Sequence, residues 1–168
     1  MKIDKPCLQT KDKSIRIKAT YLTSVDTLYE IEQKSFREEA FTRSQIAILL
    51  TNAKAISYAA LVNGKIAGFI IALVENFRGE SFGHIITIDV MPRHRRKGIG
   101  ERLLDAVEMR LREKGVNECR LEVREDNIGA LALYLKNGYT NEGRLEKYYG
   151  SSHGLYLRKK LISDCSAN

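Results

Sequence analysis

Little in this chain could hold a fold together by covalent or metal staples. It has three cysteines, Cys7, Cys119 and Cys165. They are odd in number and far apart, and no pair has metal-ligand spacing, which argues against a disulfide framework or a zinc site. No metal is expected. Only 2 of 168 residues are proline, and the 43% hydrophobic and 29% charged fractions are those of an ordinary globular chain rather than a disordered or fibrous one. No run reaches the roughly 18 apolar residues of a membrane span. The opening "MKIDKPCLQTKDKSIRIK" has no apolar stretch of signal-peptide length. These absences point to a reducing, cytoplasmic setting without a membrane partner. The length fits one domain, expected over 14–162, with 1–13 and 163–168 as loose tails. The formal charge of +7 favours anionic partners. It does not choose between nucleic acid, a membrane surface and a phosphorylated small molecule.

The periodicities supply the element order. "SIRIKA" alternates as a strand. "TSVDTLYEIEQKSF" carries a helical stripe of Val25, Leu28, Ile31, Glu32 and Phe36, with Thr23 or Ser24 as its cap. "TRSQIAILLTN" is a second short helix that Thr42 can cap. Two apolar, partly β-branched runs flank Asn63-Gly64, a dipeptide suited to a hairpin turn in which both central residues take positive φ. "GHIITIDVM" reads as a strand. "KGIGERLLDAVEMRLREKG" reads as a helix with Ile99, Leu103, Leu104, Val107 and Leu111 inward, Glu101, Asp105, Glu108 and Arg112 outward, and Gly115 as its stop. "ECRLEVRE" is a buried-type strand, and "NIGALALYLKNG" is a helix capped by Asn127 and closed by Gly138. "YTNEGRLEKYYG" and "GLYLRKKL" form a last antiparallel pair. The order β-α-α-β-β-β-α-β-α-β-β predicts a mixed α/β (α+β) domain, with a mostly antiparallel sheet of about seven strands and about four helices on its faces.

"RRKGIG", residues 95–100, sits where a strand hands over to the longest helix. The first N–H groups of a helix have no internal partner, and the peptide dipoles add positive charge there. Glycine lets an anion approach the backbone. With Arg95, Arg96 and Lys97 around it, the stretch is a candidate pyrophosphate site. It is not a P-loop, because GxxxxGK[ST] is absent, and "GIGERL" lacks the third glycine of a dinucleotide fingerprint. A dense basic run such as "RHRRK" could also contact nucleic acid.

The wider stretch "VMPRHRRKGIGERLL" resembles the acetyl-coenzyme A signature of the GNAT N-acetyltransferases, [RQ]xxGx[GA], here Arg95, Gly98 and Gly100. About thirty residues further on, "LEVREDNIGALALYLKNGY" is similar to the second GNAT motif, with Asn127, Ala130, Tyr134, Gly138 and Tyr139 in register. Both motifs occur in the right order and the element order matches, so the resemblance covers roughly residues 14–162. It implies a GNAT fold splayed between its fourth and fifth strands, with acetyl-coenzyme A as cosubstrate. The backbone of Ile88, Asp89 and Val90 would contact its pantetheine and acetyl end. Arg95 and the N–H groups of Arg96, Lys97, Gly98, Ile99, Gly100 and Glu101 would hold the pyrophosphate, and Asn127 the far side. "LEVRxxN", "GHxxxIxV" and the late "YY" are most similar to the branch that acetylates protein N-termini, of archaeal and RimI-like ribosomal-protein type.

That resemblance assigns roles. Tyr134 would contact the cofactor and donate a hydrogen bond to the departing thiolate; the alternative is a tyrosine packed beside Leu131 and Leu135. Glu122 or His84, or both through one water, would be the base. Alternation puts Glu122 on the face opposite Leu121 and Val123. It could equally pair with Arg120 or Arg124. An α-amine, with a pKa of about 7.7–8.0, needs only a modest base, and far less help than a lysine near 10.4. "SFREEAF" matches a substrate-clamping loop with Phe36 and Arg37, and with Glu38 or Glu39 as its acidic residue, although the proline and tyrosine usual there are absent. Tyr148 and Tyr149 would bind peptide backbone. The expectation is a monomeric, cytoplasmic enzyme that acetylates protein N-termini, ribosomal or nascent, in a ternary complex and without specific nucleic-acid binding. The alternatives are a GNAT acting on a small amine or internal lysine, and a non-enzymatic nucleic-acid binder.

Overall fold

The computed structural model describes residues 15–36 and 39–161. The two expected tails, and the candidate substrate residues Arg37 and Glu38, lie outside the described residues.

The elements are β1 (Ile15–Ala19), α1 (Val25–Phe36), α2 (Arg43–Thr51), β2 (Ala55–Val62), β3 (Lys65–Phe77), β4 (Glu80–Val90), α3 (Ile99–Glu113), β5 (Glu118–Arg124), α4 (Ile128–Lys136), β6 (Thr140–Tyr149) and β7 (Ser152–Lys160). They form one sheet in the order β1-β2-β3-β4-β5-β7-β6, antiparallel except where β4 meets β5. This is the expected fold class and element order.

Local chemistry explains most boundaries. Asn63 and Gly64 take φ of 51° and 79°, the turn that the dipeptide favours. Thr42 and Gln45 close a capping box at α2. Gly115 and Gly138, at φ of 73° and 85°, end α3 and α4.

Three expectations need correction. Thr23 and Ser24 do not cap α1; they belong to a 3-10 turn, Leu22–Ser24, that runs straight into it. β4 begins at Glu80, not Gly83, because Arg78-Gly79 makes a second tight turn with φ of 51° and 86°. Arginine hides that turn from a residue-type reading. Glu108 is not on the wet face of α3. It is 2% exposed, accepting from the Tyr139 hydroxyl at 3.1 Å and pairing with Lys159 at 2.6 Å. A buried carboxylate is tolerable only with such partners.

Two cores sandwich the sheet. Under α3 lie Ile70, Ala72, Ile85, Leu103, Leu104 and Leu111. Under α1 and α2 lie Leu28, Ile31, Ile46, Phe69 and Ile71. The register of β4 decides which of its side chains enters which core. Ile85 is opposite Ala72 and Thr87 is opposite Ile71, so Ile86 is an extra residue, a β-bulge. Directly opposed residues share a face. Without the bulge Thr87 and Asp89 would follow Ile85 toward α3. With it they turn toward α1.

The same place is where β4 leaves β5. The two strands pair only at Gly83–Cys119 and His84–Arg120. β4 then stays with β3 as far as Val90, while β5 stays with β7 as far as Arg124. The expected splay between the fourth and fifth strands is present.

Gly68 keeps the far end of β4 in place. A Cβ there would lie 2.6 Å from the Asp89 carbonyl oxygen and 3.2 Å from Val90 Cα. Backbone atoms cannot rotate away as a flexible side chain can. Gly68→Ala is expected to cost about 1–3 kcal/mol of stability in urea denaturation and to weaken coenzyme A binding in titration calorimetry.

Candidate active site

The parted strands open two connected spaces. A cleft of about 790 Å³ runs from Ser35 and Phe36 past Ile88–Val90 and His94–Arg96 to the start of α3, with Asn127, Gly129, Ala130 and Leu133 of the α4 region as its other wall. A chamber of about 160 Å³ lies deeper between the strands, lined by Ile85–Ile88, Glu122–Arg124, Tyr134, Tyr149, Phe36, Glu39 and Glu32 among others.

The cleft is built for an anion. α3 begins after Gly98, held at φ of 76°, and no side chain caps its first turn. The N–H groups of Ile99, Gly100 and Glu101 therefore lack helical partners. Arg96, also in the left-handed region at φ of 62°, bends the chain over the cleft. The Arg95 guanidinium donates to the Val90 carbonyl at 2.9 Å and reaches Ser35 Oγ at 3.4 Å, so it stays beside the end of β4. Among the described residues, the orphaned buried side-chain polar atom is Nδ1 of His94, a residue that also lines this cleft. Asn127 Oδ1 caps α4 through the Ala130 N–H at 3.1 Å, which fixes its amide at the cleft edge.

The chamber has a different character. Glu122 projects from β5 between buried Leu121 and Val123, as alternation requires. It pairs neither with Arg120 nor with Arg124. Its Oε2 is 2.7 Å from Nε2 of His84, whose Nδ1 is 3.2 Å from Glu75. The hydrogen bond to Glu122 raises the His84 pKa above its ordinary 6.5, and burial opposes it. Arg124 instead spans the mouth, bonding Glu39, Asp126 at 2.7 Å and Ser152 Oγ at 2.8 Å. Tyr134 is 5% exposed and packs edge-on against Tyr139 with centroids 5.5 Å apart. Burial drives its pKa far above 10, so the hydroxyl keeps its proton. Tyr149 lines the chamber, and Tyr148 is exposed beside it, ring centroids 5.0 Å apart.

The Acetyltransferase (GNAT) family matches residues 25–139, a span that holds both the anion cleft and Tyr134. This chain is a GNAT acetyltransferase. It is 31% identical over 156 residues to an N-alpha-acetyltransferase of Sulfurisphaera tokodaii, covering 88% of this chain and 93% of the relative. It is 29% identical over 136 residues to the ribosomal protein bS18-alanine N-acetyltransferase of Escherichia coli, covering 79% and 85%. The crystal structure of Ard1 from Thermoplasma volcanium superposes with a TM-score of 0.81 at 27% identity, over 89% of this chain and 99% of that one.

GNAT enzymes use acetyl-coenzyme A, and the cleft fits it. The uncapped helix entrance, Arg95 and Arg96 suit a pyrophosphate, and the same cleft is lined by Ile88, Asp89 and Val90 at the parted end of β4. Of the residues singled out for the cofactor, Ile88, Asp89, Val90, Arg95, Arg96, Gly98, Ile99, Gly100, Glu101 and Asn127 line the cleft. Lys97 is exposed and does not line it, and Tyr134 lines the chamber. Glu122, Tyr149, Phe36 and Glu39 line the chamber, and His84 reaches it through Glu122. The sequence reading missed Glu75, Thr87, Phe41 and the bracing by Arg124. Glu75 lies diagonally across the β3–β4 hairpin from His84, a register that depends on the Arg78-Gly79 turn.

No protein atom lies within 4 Å of a Cβ built on Gly98, so a side chain there meets no clash, only the strain of positive φ. Gly98→Ala is expected to relieve that strain by turning the N–H groups away. Coenzyme A affinity should fall about tenfold, the equivalent of 1–2 kcal/mol, with melting temperature shifted by only a few degrees. Titration calorimetry beside a thermal melt separates the two.

Proposed function

We propose that this GNAT enzyme acetylates the N-terminal α-amine of proteins, in a ternary complex and without an acyl-enzyme. The observation that carries the reading is the small chamber, in which Glu122 with His84 and Tyr134 converge on the parted segment of β4. The match to an archaeal N-alpha-acetyltransferase over 88% of the chain supports the same class of acceptor.

Acetyl-coenzyme A, when bound, supplies an acetyl thioester. The chain's own residues do the rest. Backbone N–H groups of the parted β4 segment orient the acetyl carbonyl and stabilise charge on its oxygen. Glu122 and His84 take up the proton that the amine sheds on attack. His84, raised above 6.5 chiefly by its hydrogen bond to Glu122, is a stronger base than a free imidazole. Tyr134, fully protonated, donates a hydrogen bond to the sulfur as it leaves. Phe36, Glu39 and Tyr149 form the walls against which the first residues of the peptide lie, with Tyr148 beside Tyr149. The setting of this activity is the cytoplasm, and its substrates are ribosomal or nascent chains.

Peptides with free and with blocked N-termini, free polyamines and lysine-containing peptides, incubated with acetyl-coenzyme A and read by mass spectrometry, test this directly. Acetylation confined to free N-termini is the expected result; modification of blocked peptides or polyamines would move the assignment to another acceptor. DNA binding that coenzyme A does not alter would favour a nucleic-acid role for the basic run.

Tyr134→Phe should lower kcat about tenfold or more while leaving coenzyme A affinity within about twofold; an unchanged kcat removes it from the mechanism.

The pH dependence follows from the sign of the His84 shift. The pair must shed its proton before it can accept another, so kcat/KM falls as pH drops through the raised His84 value. Glu122→Gln removes the largest upward influence. It is expected to reduce kcat/KM about a hundredfold and to move the acid limb to lower pH, measured on the same peptide so that the substrate's ionisation cancels. A limb that stays in place excludes the pair as acceptor.

A further inference from the structure

Two buried carboxyl groups and one hydroxyl meet between α1 and β4, on the side that the bulge at Ile86 turned toward α1. Thr87 Oγ1 lies 3.3 Å from Glu32 Oε2 and 3.2 Å from Asp89 Oδ2. Glu32 is 1% exposed and Asp89 3%. A threonine hydroxyl has one proton to give. Once it is given to one carboxylate, the second contact is a hydrogen bond only if the other carboxyl brings a proton and donates it back to Oγ1. With both groups ionised, the single Thr87 proton would have to be shared between two buried carboxylates that repel each other. A proton held by the pair gives each contact its own donor, and Ser35, which also bonds Asp89, does not reach Glu32's side of the hydroxyl. Energetics agree: burial first, then the hydrogen bond and charge of Glu32, push Asp89 up to about 9.

The group joins the two halves of the site. Glu32 Oε1 accepts the Phe41 N–H at 3.1 Å, and Gln33 Nε2 donates to the Phe41 carbonyl at 3.3 Å. Phe41 closes the segment between α1 and α2 and lines the chamber with Phe36 and Glu39. Asp89 belongs to the parted end of β4 and lines the cleft.

We propose that Glu32, Thr87 and Asp89 form a proton-sharing clasp that positions the α1–α2 loop against the parted end of β4, so that seating of the acceptor peptide depends on that single proton. The proposal rests on the reading of the chamber as the acceptor site. Through these side chains the three act as positioning residues. Loss of the proton leaves two adjoining buried carboxylates, and their repulsion displaces Glu32 from the Phe41 N–H.

The other titratable or charged groups around the clasp do not mimic this behaviour. Arg95 reaches Ser35 of α1, and Arg124, which holds Glu39, is raised by Asp126 and Glu39 and keeps its charge. Tyr134 of α4 and Tyr149 of β6 are held above their ordinary values by burial. His84 with Glu122 controls the acid limb.

The test is the pH dependence of Asp89→Asn and Glu32→Gln, in each of which an amide N–H takes the place of the shared proton. The ratio of variant to wild-type kcat/KM on one peptide cancels the ionisation of the peptide amine. Between pH 7 and pH 10 that ratio should rise about threefold or more, through peptide KM rather than kcat.

A second readout needs no activity. Asp89 is held above its ordinary 3.8, so the protonated clasp contributes stability that is full below about 4 and is lost as pH rises toward about 9. Asn has no such slope. The melting temperature of Asp89→Asn minus that of the wild type should therefore grow from pH 5 to pH 9. A flat difference overturns the shared proton, and a sloping difference with a flat kinetic ratio overturns the positioning role. A wild-type chain that acetylates no peptide sinks the acceptor reading and the positioning role with it, while the melting series still decides the proton. If Asp89→Asn does not fold, Glu32→Gln carries both measurements.

Discussion

Inside a sheet, every strand edge is normally spent on a neighbour. Here β4 and β5 pair at two positions and then turn their facing edges to an open wedge. Backbone N–H and C=O groups left in such a wedge are costly unless something bonds them. The chain tolerates the wedge because each strand is fully engaged on its other side, β4 with β3 and β5 with β7. The opening is therefore rigid, and its edges are fixed donors and acceptors awaiting a ligand. The bulge at Ile86 falls just past the last shared pair and adds the local twist that keeps the strands apart. Cleft, chamber and clasp all follow from this parting.

Charge is mixed along the wedge, and Glu39, Asp89, Glu101 and Asp126 line the cleft beside its cations. At its open end Arg95 and Arg96 stand beside the uncapped entrance of α3. Inside, Glu32, Glu39 and Glu122 line the chamber. Arg124 keeps the inner end from becoming simply acidic. By tying Glu39 to Asp126 and Ser152 it neutralises the mouth and braces the α1–α2 loop against β5 and β7. Long-range attraction speeds encounter without fixing geometry; geometry comes from the strand edges.

How much of this could be read in the sequence depended on whether the signal was local. Asn63-Gly64, Thr42 with Gln45, Asn127 and the glycines after α3 and α4 declare turns and caps through their own residue types, and the structure has them in place. The anion cleft was equally legible, since helix start, glycine and basic residues are contiguous. Arg78-Gly79 was not, because arginine rarely adopts positive φ. The bulge was invisible, since "IITIDV" fits an unbroken strand, and with it went the turning of Asp89 toward Glu32. His84 and Glu122 were each singled out, but their contact spans 38 positions of chain and exists only where β4 and β5 still pair. The partners of Glu122 could not be chosen by proximity in sequence, which favoured the two arginines beside it.

Glu108 shows how a residue far from the chemistry supports it. Periodicity placed it outward on α3, and by hydropathy alone that is where it belongs. Its burial is offset by Lys159 from β7, by Arg112 one turn along α3, and by the Tyr139 hydroxyl. Those bonds fix Tyr139, and Tyr139 in turn presents its ring edge-on to Tyr134. The hydroxyl of a buried tyrosine is placed only as well as its ring is held. α4 is nine residues long and holds Tyr134 in the core with Ala130, Leu131 and Leu133 packed around it. An ionic cluster that links α3, the segment after α4 and β7 adds to that restraint through Tyr139. Replacing that cluster with apolar side chains of similar volume could preserve or even raise stability, but it would remove the directional bonds that orient Tyr139. The cluster therefore fixes the direction of the Tyr139 ring against Tyr134, whatever it adds to folding energy.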